Sequence, residues 1–94
     1  MILIWLPTAR RDFDSIVDYI ADDDPGAAIQ QGDEIEHQVA SLERYPALGK
    51  PGRVNGTHEL VIARTPYIAV YRVLHERVEI LRILHGAQQW PTFP

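Results

Sequence analysis

Ninety-four residues with 46% hydrophobic content suffice for one small packed domain and exclude a disordered chain; the absence of cysteine excludes a disulfide framework, a thiolate nucleophile and a thiolate metal site. The net charge of −4 hides a division, since residues 1–43 carry two basic and ten acidic side chains (−8) while residues 44–94 carry seven basic and three acidic ones (+4). One face should therefore repel nucleic acid and another should suit an acidic partner or a phosphate, which directs the search for function to the second half.

Met1–Leu6 is apolar, lacks a basic leader and is too short for a signal sequence or a membrane span, so it reads as a first strand of a cytoplasmic protein. Thr8 is placed to cap a helix over the next four turns, in which Phe13, Ile16, Val17 and Ile20 recur at helical spacing and Asp12 and Asp14 favour the early turns. Asp24-Pro25 then supplies a cap and a proline at the first helical position. It restarts a helix through Ala28, Ile35, Val39 and Leu42 as far as Tyr45-Pro46. Gly49, Pro51, Gly52 and Gly56 make a loop. Beyond it His58–Arg64, Tyr67–Leu74 and Arg77–His85 are rich in Val, Ile and Tyr, and they are broken by Thr65-Pro66 and His75-Glu76. The expected fold is α+β in one domain over residues 1–94: an N-terminal strand, a two-helix hairpin, then a three-stranded antiparallel meander.

If His75-Glu76 is a two-residue turn, paired positions of the last two strands sum to 151 and Arg72 lies opposite Glu79. One face then carries Ile68, Val70, Leu81, Ile83 and His85. The other carries Tyr67, Ala69, Tyr71, Val73, Val78, Ile80, Arg82 and Leu84, with Arg82 among two tyrosine rings. Both faces are largely apolar and two helices cover one, so the second should want a partner chain, either another copy or a helix of another protein. A one-residue shift would exchange which arginine lies on it.

Enzyme motifs are scarce. The chain has no phosphate-binding glycine loop, no HExxH, and no acid/base carboxylate pair in the strand half; no metal or cofactor is expected. Ser15 and Ser41 have no histidine at a suggestive spacing. His37 reads as a solvated helix residue and His75 as a turn residue, whereas His58 and His85 stand at strand ends beside the basic loop, where a general base or a stacking ring belongs. Arg53, Arg64, Arg72 and Arg82 form the other constellation, because guanidinium forks suit phosphate and carboxylate. Arg72 is expected to be neutralised by Glu79. Arg82, without an obvious intrachain partner, stands out, and Trp90 is either a partner anchor or a ring packed on the strand ends.

Tyr19-Ile20-Ala21, Pro46-xx-Gly49, Gly52-Arg53-Val54, Gly56-Thr57-xx-Glu59-Leu60-Val61, Pro66-Tyr67-Ile68, Tyr71-Arg72-Val73 and Ile80-Leu81-Arg82-Ile83-Leu84-His85-Gly86-x-Gln88-x-Trp90 follow one another in the order of the RelE/ParE family of bacterial type II toxins, which this chain resembles over nearly its whole length. His58 departs from the arginine expected in close relatives, which weakens a phosphate-binding role for its loop. The resemblance implies a toxin wrapped by the C-terminal segment of a cognate antitoxin, with DNA approached only through that antitoxin and no membrane partner. Tyr67, Tyr71, Arg82 and Trp90 would be the partner-binding residues. It also implies one of two activities. RelE-like members cleave messenger RNA on the ribosome, and in that pattern Ile68 and Gln88 stand where the two principal catalytic arginines should be; His85, with Arg82 or Arg53, would have to carry the chemistry. ParE-like members, grouped as plasmid stabilisation proteins, inhibit DNA gyrase, and the missing arginines point there. A degenerate toxin kept only for binding its antitoxin is a third reading.

Overall fold

The computed structural model describes residues 1–91. Its elements are β1 (Ile2–Trp5), α1 (Pro7–Asp23), α2 (Pro25–Ala40) with a 3-10 turn at Ser41–Glu43, β2 (Lys50–Pro51), β3 (His58–Val61), β4 (Tyr67–Leu74) and β5 (Arg77–His85). The strands form one sheet in the order β1-β5-β4-β3-β2, antiparallel throughout except that β1 runs parallel to β5. The two helices pack on one face.

The helix starts follow from proline and aspartate. Pro7, with its fixed φ and no N–H to leave unpaired, begins α1 at its first position. Thr8 is therefore inside the helix and not its cap. Its hydroxyl instead donates to the carbonyl of Leu81, 2.8 Å away. Asp24 caps α2 as expected, its carboxylate accepting from the Ala27 N–H at 3.1 Å. Ala9 and Phe13 of α1 and Ile35 and Val39 of α2 meet Ala69, Tyr71, Val78, Ile80 and Ile83 of the sheet in the main core. Each large aliphatic chain so buried contributes roughly 1.5–3 kcal/mol.

The β4/β5 register departs from a uniform hairpin. Leu74↔Arg77, Arg72↔Glu79 and Tyr71↔Ile80 keep the expected pairing, but Val70 lies opposite Arg82, so Leu81 is an extra residue in a bulge. Beyond the bulge the faces exchange. Ile83 points into the helical core, Leu84 points to the open face, His85 joins Tyr67, and Arg82 leaves the tyrosines for the open side. The cause lies in α1. The last rung from β1 is Leu6 N–H to Ile80 C=O, 3.0 Å; past it the free edge of β5 is met by side chains, Thr8 on Leu81 and the Asp12 carboxylate on the Ile83 N–H at 3.0 Å.

Two further differences concern β2 and β3. The loop after α2 contains a two-residue strand, Lys50–Pro51, paired with Glu59 and His58. β3 ends at Val61 and not at Arg64, because the Gln38 side-chain amide takes the place of a neighbouring strand. It accepts from the Ala63 N–H at 2.7 Å and donates to the Ala63 carbonyl at 2.9 Å, while Arg64 turns the chain with φ 65°.

The apolar centre of the open face is covered by the chain itself and is not bare as the uniform register suggests. Ile68, Val70 and Leu84 are at most 6% exposed, because the chain's own Trp90 and Leu81 pack on them. The charge division is also a division of layers. Asp14, Asp18, Asp22, Asp23, Asp33 and Glu36 are exposed on the helices, whereas Lys50, Arg53, Arg72, Arg77 and Arg82 belong to the sheet and its loop.

Candidate functional site

His85, Tyr67 and Tyr19 form an aromatic ridge where β5 leaves the sheet. The register places Tyr67 opposite His85, and their rings meet edge to face at 5.9 Å. Tyr19 of α1 is 79% exposed beside them. Burial, with the neighbouring Tyr19, raises the Tyr67 phenol above its ordinary range, so it stays protonated. The His85 ring is held by its own tail. The Ala87 N–H donates to Nδ1 at 3.1 Å, the Gln88 N–H to the His85 carbonyl at 2.9 Å, and the His85 N–H to Gln88 Oε1 at 3.4 Å. A lone pair on Nδ1 accepts that bond, so the neutral ring carries its proton on Nε2 and offers solvent a donor.

Arg82 is not free. Its Nε and Nη2 close a fork on the Asp12 carboxylate at 2.6 and 3.1 Å, which raises the guanidinium's affinity for its proton still further. Its carbon centre lies 5.5 Å from the centre of the Trp90 ring. Trp90 packs on Ile68, Val70 and Leu84 and stays partly exposed. Arg53 is likewise engaged. It ion-pairs with the buried Glu59 at 3.3 Å and donates to the carbonyl of Gln88 at 3.1 Å, tying the tail across the sheet. Arg64 forks onto Glu34, and Arg72 bonds Glu79 at 2.7 Å, as expected for the latter.

Tyr71, expected on the partner surface, is fully buried. Its hydroxyl donates to the Pro46 carbonyl at 2.7 Å and accepts from the Gly49 N–H at 2.8 Å, so it closes the loop after α2 onto the sheet. Gly49 must be glycine there, since a Cβ would lie 2.6 Å from that hydroxyl. His58 stacks on the Tyr71 ring with centroids 5.3 Å apart. It does not join His85: their partners on β4 are four residues apart, about 13 Å along a strand. His37 and His75 are exposed, and among the described residues no group of three His, Asp or Glu is arranged to hold a metal ion. What the ridge offers is aromatic faces, a histidine N–H donor and a protonated phenol.

The whole arrangement has known counterparts. Residues 3–90 match the family described as the ParE toxin of type II toxin-antitoxin systems, parDE. The chain belongs to this family of RelE/ParE toxins. Among similar proteins, the Y4kP protein of Sinorhizobium fredii is 47% identical over 87 residues, covering 93% of this chain and 90% of that one. Among solved structures, the chromosomal ParDE system of P. aeruginosa aligns with TM-score 0.82 and 32% identity over 88% of this chain and 92% of its own. The RelBE2 toxin-antitoxin complex of Mycobacterium tuberculosis aligns with TM-score 0.60 and 29% identity over 89% of this chain and 95% of its own.

In this ParE-family toxin, the two positions at which the resemblance to a RelE-like pattern leads one to expect arginines, Ile68 and Gln88, have structural surroundings. Ile68 is buried under Trp90, and Gln88 is the stitch of the tail. Sequence reasoning missed Tyr19 and Asp12. Both lie on α1, 7 residues apart, about two helical turns; Asp12 reaches Arg82 and the Ile83 N–H of β5 and Tyr19 neighbours Tyr67 of β4, and that spacing has no meaning until the sheet is known to lie there.

Proposed function

We propose that this toxin acts by binding a protein target, with DNA gyrase as that target, and that it is neutralised by a cognate antitoxin whose C-terminal segment covers the ridge and the tail around Tyr67, Arg82 and Trp90. The antitoxin provides the only link to DNA. The observation that carries the reading is the bond from Ala87 N–H to His85 Nδ1. Cleavage at a 2′-hydroxyl needs a base with an open lone pair, an acid and a cation on the phosphorane together. Here the histidine lone pair is occupied, the Tyr67 phenol holds its proton, and Arg82 and Arg53 are spent on Asp12 and Glu59. The closer structural likeness to the ParDE system than to RelBE2 supports the same direction.

A ribosome-dependent messenger endoribonuclease is the second reading, favoured by the exposure of His85 beside Tyr67. Purified toxin is to be added to a gyrase supercoiling reaction and to a reconstituted translation reaction. Loss of supercoiling with an intact messenger, unchanged in His85→Phe cleavage controls, supports the proposal. Codon-phased messenger cuts abolished in His85→Ala would replace it with the nuclease reading. Inactivity in both reactions, with expression harmless in cells, would leave a degenerate toxin.

A further inference from the structure

The end of the open face remote from His85 carries a cluster that the toxin reading does not use. Arg72 and Arg77, on adjacent strands, both hold Glu79, through Nε–Oε1 at 2.7 Å and Nε–Oε2 at 2.9 Å. Glu79 is 6% exposed, whereas the two arginine side chains are 44% and 49% exposed. This differs from the other pairs. Arg64 and Arg82 each commit both Nε and Nη2 to one carboxylate and are saturated by it. Arg72 and Arg77 bond through Nε, and among the described residues their terminal nitrogens make no hydrogen bond. Two guanidinium groups on one carboxylate leave an excess of one positive charge, with the donor edges fixed in place by the buried Glu79. Ile2, opposite Arg77 and 64% exposed, and the half-buried Leu74 put apolar surface directly beside that charge. Glu76, in the adjoining turn, bounds the patch.

We propose that the Arg72–Glu79–Arg77 cluster with Ile2 and Leu74 is a docking site for an acidic segment of a partner polypeptide, one carboxylate of which bridges the two free guanidinium edges while a neighbouring apolar side chain covers Ile2 and Leu74. Charge and surroundings select a peptide over a nucleic acid. A polyanion gains by neutralising many phosphates at once, and this site has one surplus charge on a chain of net charge −4. A single carboxylate satisfies the surplus, and apolar surface gives a phosphate backbone nothing to bind. The site goes beyond the gyrase reading and stands whichever activity the toxin has.

The test uses the full chain and three labelled probes followed by fluorescence anisotropy at low salt: a peptide of alternating aspartate and leucine, the same peptide with asparagine for aspartate, and a single-stranded oligonucleotide of matched length. The acidic peptide should bind, Arg77→Gln should weaken it by about tenfold, and Arg11→Gln, on the exposed side of α1, should leave it unchanged. Arg77→Lys, which keeps the charge and loses the fork, should retain part of the affinity, and thermal melts of the variants near that of the wild type establish that they fold. Equal binding of the asparagine peptide, or equal loss in Arg11→Gln, would overturn the proposal. So would oligonucleotide binding lost in Arg77→Gln, which would make this a phosphate site. Self-association that displaces the peptide would overturn it too, by giving the site to the acidic helices of a second copy.

Discussion

Replacing Tyr71 by phenylalanine separates a structural tyrosine from a partner-binding one. The ring is fully buried, and the substitution keeps the ring, its stacking on His58 and its packing against the core. Only the hydroxyl goes, and with it the bond to the Pro46 carbonyl at 2.7 Å and the bond from the Gly49 N–H at 2.8 Å. Both loop groups are half-buried, so water reaches them in part, and the cost is about 1–2 kcal/mol in place of the full penalty for two orphaned groups. For a domain of this size that corresponds to a fall in Tm of roughly 5–15 °C by calorimetry. A second arm uses pH. Burial holds the Tyr71 phenol above its ordinary value of 10.0, opposed in part by the Gly49 N–H. An acid whose folded pKa is raised keeps its stability below the unfolded value and loses it as pH rises past that value, so the wild type should weaken above about pH 10. Tyr71→Phe should lose less there, Tyr67 supplying the remainder. A Tm unchanged within a degree, together with weaker antitoxin binding, would refute the structural role and return Tyr71 to the partner surface.

Asp12→Asn removes the ion pair to Arg82 while leaving an oxygen for the Ile83 N–H; with Arg82 30% exposed the loss should be about 1–2 kcal/mol, and Asp12→Ala, which orphans the Ile83 N–H as well, should cost more, both read from urea midpoints. Acid should destabilise the fold through Glu79 and Glu34. Hydrogen bonds from Arg72 and from Arg64, respectively, hold these carboxyls below their ordinary value of 4.5. A depressed carboxylate contributes stability above the unfolded pKa and loses it as pH falls through the folded one, so the urea midpoint should drop below about pH 4.5. Glu79→Gln should flatten that drop, and an unaltered slope would remove Glu79 from the account.

Much of the fold was legible because local chemistry decides it. The bounds of β4 and β5 fall at Pro66 and His75-Glu76, the Asp24 cap opens α2, and Arg72 faces Glu79 because the turn between them is short. The bulge was not legible. Ile80-Leu81-Arg82-Ile83-Leu84 alternates equally well in either register, and what selects one is a pair of side chains on α1, Thr8 and Asp12, some seventy residues earlier. That choice moved Ile83 into the helical core, paired His85 with Tyr67 and gave Arg82 its partner. The occupation of the open face by Trp90 was equally remote, since a tail that folds back leaves no periodic trace. β2 was missed because a two-residue strand ending in Pro51 carries no pattern.

The paired arginines limit what this surface can recognise. Arg53, Arg64, Arg72, Arg77 and Arg82 hold most of the positive charge of the second half, and each meets a carboxylate of the chain. A phosphate arriving at Arg82 or Arg64 would have to displace a two-bond fork and strand Asp12 or Glu34, which offsets most of what the new contact contributes. An RNA backbone would meet that cost at several positions in succession. A protein target does not, because it can leave the forks intact and bind the aromatic ridge, the tail and the two unsaturated guanidinium edges of Arg72 and Arg77. The same ion pairs that fasten α1 to β5 and α2 to the turn after β3 thus support the proposed protein target over a nucleic-acid one.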